Sequence, residues 1–287
     1  MAAAAKDDRV SDPNVDRDYS AQATVTEAEF EAAMARYRSA SESATAGLDG
    51  VADLAFDPHS DERLDVWGIA PGQLRPVVLA VHGGYWRMLS RHDTAFPARV
   101  LADAGIASVV PDYTLAPAAP LDEIVRQVRA AVAWVYQHGT EHGLDPERIH
   151  VVGSSAGGHL AAMTAVAEWQ HAAGLPADVV KGAMTISGLF DLRPLVSSFA
   201  NAWLNLDTPR AEALSPILLP PGRAPLHVAV AEHEAAGFHR QSKAFHAHWP
   251  GSSSLTEVPG RNHFDVFLDL ADPHSALSRA LVRLARS

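Results

Sequence analysis

The chain contains no cysteine. Disulfides, thiolate nucleophiles and cysteine-held metals are therefore excluded, although the compartment is not fixed by that alone. No run of about 18 apolar residues occurs, so no membrane span is expected. Lys6-Asp7-Asp8-Arg9 places charge where a secretory leader would need its apolar core. A soluble, cytoplasmic protein is the resulting expectation. Basic residues are also in short supply: 23 Lys and Arg stand against 34 Asp and Glu, a formal charge of −11. That balance argues against nucleic acid and against anionic membrane surfaces as partners. It does not bear on oligomeric state.

What is present is ordinary for a globular chain with a substantial core: 287 residues, 47% of them hydrophobic. Residues 1–25 read as a polar N-terminal tail, with 1–18 charged, proline-containing and loosely attached. Thr26 can cap a helix, with Glu27 and Glu29 in its first turn and Phe30, Met34 and Tyr37 on one face. Residues 39–50 read as a connection, and 26–60 together as a possible cover for a site. Strands are predicted at Arg63–Ile69, Val77–Val81, Ile106–Val110, Ile149–Val152, Val179–Ile186, Leu226–Val230 and Leu255–Val258. Helices fall between them, one over Asp93–Ala104 ended by Gly105 and the clearest after Pro120, where Leu121, Ile124, Val125, Val128 and Val132 keep helical spacing up to Gly139. With no repeat and no linker-like break beyond residue 60, this alternation predicts one α/β domain over 26–287, a doubly wound and mostly parallel sheet with helices on both faces. Ligands bind at the carboxyl ends of the strands in such sheets.

Two motifs lie at such ends. Ile149-His150-Val151-Val152 runs into Gly153-Ser154-Ser155-Ala156-Gly157, a G-x-S-x-G turn followed by a small-residue helix. Strand, tight turn and helix are the context in which that pattern presents a strained, exposed serine hydroxyl, here Ser155, and leaves the N–H of Ala156 free for an oxyanion. Val77–Val81 runs into His82-Gly83-Gly84-Tyr85-Trp86, whose backbone at Gly83 and Gly84 can complete an oxyanion hole. Either motif alone could be an ordinary glycine turn; both together, each after a strand and in this order, are hard to obtain by chance.

A serine nucleophile needs a base, and the base needs a carboxylate. Of 15 histidines, His263 is selected by position, in a Gly/Asn turn after the final strand. Glu232 and Glu234 follow the preceding strand and spacing does not separate them; Asp191 is a weaker third choice. Tyr85 and Trp86 adjoin the oxyanion loop and are candidates for a substrate pocket, with Tyr113, Phe199 and Trp203 behind them. His138/His142 and His246/His248 lack a carboxylate at the spacing of a metal site, so no metal or organic cofactor is called for. A non-catalytic binding protein on this fold would be signalled by loss of the serine, histidine or glycines, all of which are present.

Over most of its length the chain resembles the arylformamidase (kynurenine formamidase) branch of the α/β-hydrolases. The resemblance is carried by Tyr19-Ser20, Leu64-Asp65-Val66, His82-Gly83-Gly84-Tyr85-Trp86, Tyr113-Thr114-Leu115-Ala116-Pro117, Gly153–Gly158, Ser187–Leu192, Phe238-His239-Arg240-Gln241-Ser242 and Asn262-His263-Phe264. It implies an α/β-hydrolase fold and a Ser155–His263–Glu234 triad, the acid lying four residues before Phe238 and after His233. The family's usual residue there is Asp; Glu is one methylene longer. It further implies cleavage of an N-formylkynurenine-like aryl formamide to amine and formate. The same triad would serve a carboxylesterase acting on small esters.

Overall fold

Alternate residues of the strand Arg75–Val81 feed two different cores. Val77, Leu79 and Val81 point into one, Val78 and Ala80 into the other, and all are fully buried. A continuous apolar run is what a strand covered on both faces requires. The protein is described here from a computed structural model covering residues 11–249, 251 and 253–287; the part of the expected polar tail at 1–10 lies outside the described residues.

Eight strands form one sheet: β1 (Gly50–Ala55), β2 (Arg63–Trp67), β3 (Arg75–Val81), β4 (Ala107–Pro111), β5 (Leu144–Ser154), β6 (Val180–Ile186), β7 (Leu226–His233) and β8 (Ser253–Asn262). Their spatial order is β1-β2-β4-β3-β5-β6-β7-β8. β2 is antiparallel to both of its neighbours, and from β4 to β8 all pairing is parallel. The described helices are α1 (Pro13–Tyr19), α2 (Glu27–Thr45), α3 (Ala98–Asp103), α4 (Leu121–His138), α5 (Ala156–Ala165), α6 (Trp169–Ala172), α7 (Asn201–Leu204), α8 (Thr208–Ala213), α9 (Ala236–His248) and α10 (Ala276–Arg286). One core takes the buried faces of α4 and α5, including Ile124, Val128, Leu160 and Ala161. The opposite core takes α2, α3 and α10 through Tyr37, Leu101, Leu277 and Leu281. The chain leaves β3 for β4 on one side and returns to β5 on the other, so the carboxyl ends of β3 and β5 flank the point where the winding reverses.

Several elements depart from the sequence reading. Residues 13–24 are not a tail: Pro13 starts a helix capped by Asp12, whose N–H donates to the Ser197 carbonyl at 2.7 Å, and Tyr19 is buried. The polar side chains that suggested a tail serve as anchors, with Asp16 accepting from Phe199 N–H and Asp18 pairing with Arg240. α2 starts at the expected capping box of Thr26 and Glu29 but runs on to Thr45 through the supposed connection. Ser41 and Ala44 continue the buried face of Tyr37, so packing outweighs the weak helix preference of serine. β1 carries no hydrophobic alternation because it is an exposed edge strand, interrupted by Asp53 at φ +65°. The helix expected over Asp93–Ala104 is confined to α3, after a short 3-10 turn at Arg91–Asp93. β8 is longer than Leu255–Val258. Among the described residues no helix is long and apolar enough to cross a membrane.

Candidate active site

Ser155 stands between β5 and α5 with φ +57° and ψ −121°, a backbone region that non-glycine residues rarely occupy. Positions 153, 157 and 158 around it are held to glycine because backbone crowds the turn. A Cβ at Gly153 would collide with the Gly157 carbonyl, and one at Gly157 would lie 2.7 Å from the His82 carbonyl oxygen. A Cβ at Gly158 would come within 3.0 Å of Gly188 Cα. The Ser155 N–H donates to the Ile186 carbonyl at 2.8 Å, which ties the strained residue to β6. Ala156 is the first residue of α5, so its N–H has no intrahelical acceptor.

The loop after β3 packs directly on this turn. A Cβ at Gly83 would sit 2.8 Å from the Ser154 carbonyl oxygen and 3.4 Å from Ser155 Cβ. Gly84 takes φ +88°, and Tyr85 and Trp86 follow at +51° and +58°. Among the described residues neither the Gly83 nor the Gly84 N–H meets an acceptor. The loop is fixed through its carbonyls instead: Tyr113 O–H donates toward those of His82 and Gly83, at 3.1 and 3.0 Å, while its ring stacks on His82 at 4.0 Å. Burial holds the His82 imidazole below its usual pKa and the Tyr113 phenol well above its own, so both stay neutral at physiological pH. The position of Tyr113, one strand away, gave no sequence sign of this role.

His263 and Glu234 meet. Nδ1 of His263 lies 3.1 Å from Glu234 Oε2, with both side chains almost wholly screened from solvent. The other carboxylate oxygen, Oε1, accepts from Ser187 O–H and from the Ala231 N–H. Glu232 instead accepts from the Gly260 N–H at 2.7 Å and is largely exposed, and Asp191 pairs with Arg193. Of the two glutamates that spacing left open, Glu234 is the one in contact with His263. Ser187, at φ +49° just after β6, is the partner that sequence reasoning missed; the signal was its place at another strand end.

Three elements hold His263. Asn262 closes a turn by accepting from the Phe264 and Asp265 N–H groups. Tyr37 of α2 donates to the Phe264 carbonyl at 2.8 Å. Phe238 of α9 lies against the imidazole, ring centres 4.4 Å apart, and is backed by Tyr19. Gln241, one turn on, bridges Tyr19 O–H and the backbone of Phe190 and Asp191. The stretch Phe238–Ser242 is therefore a clamp between α1, the histidine and the loop after β6.

Ser155, His263, Gly83 and Gly84 open on one cavity of about 430 Å³. Its walls include Phe30 and Met34 of α2, Ser20 to Gln22 after α1, and Tyr85, Phe199 and Trp203. Tyr85 fits the sequence expectation of a pocket residue, and its O–H donates to the Tyr19 carbonyl. Trp86 does not: it is completely buried behind the loop, edge-on to His159 at 5.2 Å. An indole next to a tight turn at positive φ is thrown to the core side while its neighbour faces the cleft. His138 lies against Trp134 and beside Glu141, and His246 hydrogen-bonds Ser253, all away from the cavity.

A family model described as BD-FAE matches residues 67–193. Kynurenine formamidase of Salmo salar is 30% identical over 243 residues, covering 81% of each chain. Esterase LipQ of Mycobacterium tuberculosis is 29% identical over 240 residues, covering 75% of this chain and 57% of its own. Among solved structures, a thioesterase candidate from Silicibacter sp. TM1040 superposes with a TM-score of 0.80 at 26% identity, covering 95% of this chain and 99% of that one. The carboxylesterase EstE1 superposes at 0.69 with 20% identity, covering 92% and 96%, which bears on the fold alone.

Proposed function

Because the chain belongs to the kynurenine formamidase-like branch of the α/β-hydrolases and is a hydrolase, we propose that it cleaves an aryl formamide of the N-formylkynurenine type through a Ser155–His263–Glu234 triad. The observation that carries this reading is His263, backed by the solvent-screened Glu234, sharing a cleft with Ser155 at the sheet's reversal point.

The chemistry follows from the contacts. With Nδ1–H donated to Glu234, the unprotonated Nε2 of His263 is the base. It takes the Ser155 proton as Oγ attacks the formyl carbon. The oxyanion then receives the N–H groups of Gly83 or Gly84 and of Ala156, each such donor being worth about 3 kcal/mol in comparable sites. His263 returns the proton to the departing aryl amine, and water, activated by the same imidazole, releases formate from Ser155. No step calls for a metal or an organic cofactor.

A small-ester carboxylesterase using the same residues is the second reading, favoured by the esterases among the relatives. The deciding measurement is kcat/KM for N-formyl-L-kynurenine beside 4-nitrophenyl acetate, on the wild type and Ser155→Ala. Preference for the formamide, abolished by Ser155→Ala, supports the formamidase. Ester cleavage alone moves the assignment to an esterase. Activity that survives Ser155→Ala overturns the nucleophile.

A further inference from the structure

Arg87 is the one Lys, Arg, Asp or Glu among the described residues that line the cleft. Arg87 lines the cavity that Ser155 opens on, and no Asp or Glu among the described residues does so. Its guanidinium carbon lies 4.3 Å above the centre of the Trp203 ring. That platform is itself fixed, since Trp203 Nε1–H donates to the Tyr85 carbonyl at 3.0 Å. Arg87 continues the turn that begins at Gly84, its own N–H donating to the Gly84 carbonyl at 3.0 Å. The loop offering the oxyanion donors thus also carries a positioned cation.

That cation is uncommitted. Arg91, four residues on, is saturated by Asp53, Asp65 and Asp112, and Arg193 and Arg240 each hold a carboxylate. Among the described residues the Arg87 guanidinium takes part in no ion pair, and it rests on the Trp203 ring. On a chain of net charge −11 a free arginine beside a cleft free of carboxylates is a local reversal of sign. Screening limits the general negative field to about 8 Å at physiological salt, so the nearest charge decides what the cleft accepts. Depth is ordered too: Arg87 is exposed at the lip and Ser155 is buried. A planar guanidinium held over an indole keeps its N–H edge free for bidentate pairing with a carboxylate.

We propose that Arg87 determines specificity by pairing with a carboxylate at the end of the substrate remote from the scissile carbonyl, so that aromatic substrates bearing an anion are preferred to neutral ones of the same shape. The inference rests on the hydrolase reading of Ser155 and His263.

The test is protection of Ser155 from a fluorophosphonate by 4-phenylbutanoate and by its neutral isostere 4-phenylbutanamide. In the wild type the carboxylate halves the labelling rate at a concentration about 10-fold or more below that of the amide, consistent with a charge-assisted bidentate pair. The two ligands become equal in Arg87→Gln, the order reverses in Arg87→Glu, and Arg87→Lys keeps part of the preference. Equal protection in the wild type, or a preference that survives Arg87→Glu, overturns the proposal while labelling itself upholds the hydrolase. Absence of labelling at Ser155 removes the hydrolase reading and the Arg87 proposal with it.

Discussion

The Glu234 carboxylate is divided between two tasks: Oε2 faces His263 Nδ1 at 3.1 Å, and Oε1 is held by Ser187 O–H and the Ala231 N–H. A glutamate has one more torsion to fix than an aspartate, and the second oxygen's two donors supply that restraint. Glu234→Gln should lower kcat/KM by about 10³- to 10⁴-fold, as loss of the orienting anion does in other triads. Glu232→Gln should stay within about threefold of the wild type, since only an exposed loop bond is lost. If Glu232→Gln is the damaging change, the acid has been misassigned.

Ser187→Ala leaves Glu234 Oε1 with the Ala231 N–H alone. The carboxylate then gains freedom without losing its charge, so kcat should fall about 10-fold with KM little changed. Glu234→Asp should be more harmful, because the shorter side chain cannot reach His263 and keep both anchors. A Ser187→Ala enzyme with wild-type kcat would show that the backbone donor suffices.

The elements that carry strong local signals were legible in the sequence. Val77–Val81 and Ile149–Val152 announce buried strands, Thr26 and Glu29 a capping box, and Gly153 to Gly157 a turn crowded by backbone. What was not legible depends on partners far away in the chain. α1 is polar because Asp16 and Asp18 serve Phe199 and Arg240. Glu232 and Glu234 are equivalent in spacing, and only distant partners distinguish them: Ser187 and His263 on Glu234, the Gly260 N–H on Glu232. Trp86 and Tyr85 are adjacent aromatics, and only the loop's positive φ angles turn one inward and the other to the cleft.

The docked N-terminal segment bears on the site through contact. Tyr19 backs Phe238, which in turn lies against His263, and residues 20–22 form part of the cavity wall. Tyr19→Ala removes a buried ring, a change that costs about 3–5 kcal/mol in well-packed cores. Its Tm should drop by several degrees. At temperatures where it remains folded, kcat should still fall, because Phe238 loses its support. A loss of stability with full kcat would confine α1 to a structural role.

Acid should weaken the fold through its buried imidazoles. His150 and His159 are completely buried, and burial pushes both down to a pKa of about 4. Burial also lowers His82. An unfolded chain protonates these imidazoles near pH 6.5, so it binds more protons than the native state between the two values. The stability they contribute is complete above pH 6.5 and is lost as pH falls toward 4, at about 3 kcal/mol for each of His150 and His159. Glu123, held below its usual range by the Arg126 hydrogen bond, adds its loss only below about pH 4.5. Urea midpoints should therefore be flat from pH 8 to 7 and decline steadily from 6.5 to 4.5. His150→Leu, which removes one titrating ring beside Gly182, should flatten that decline by about a third to a half without moving its onset. A midpoint independent of pH across this window would mean that the buried rings accept protons without opening the core.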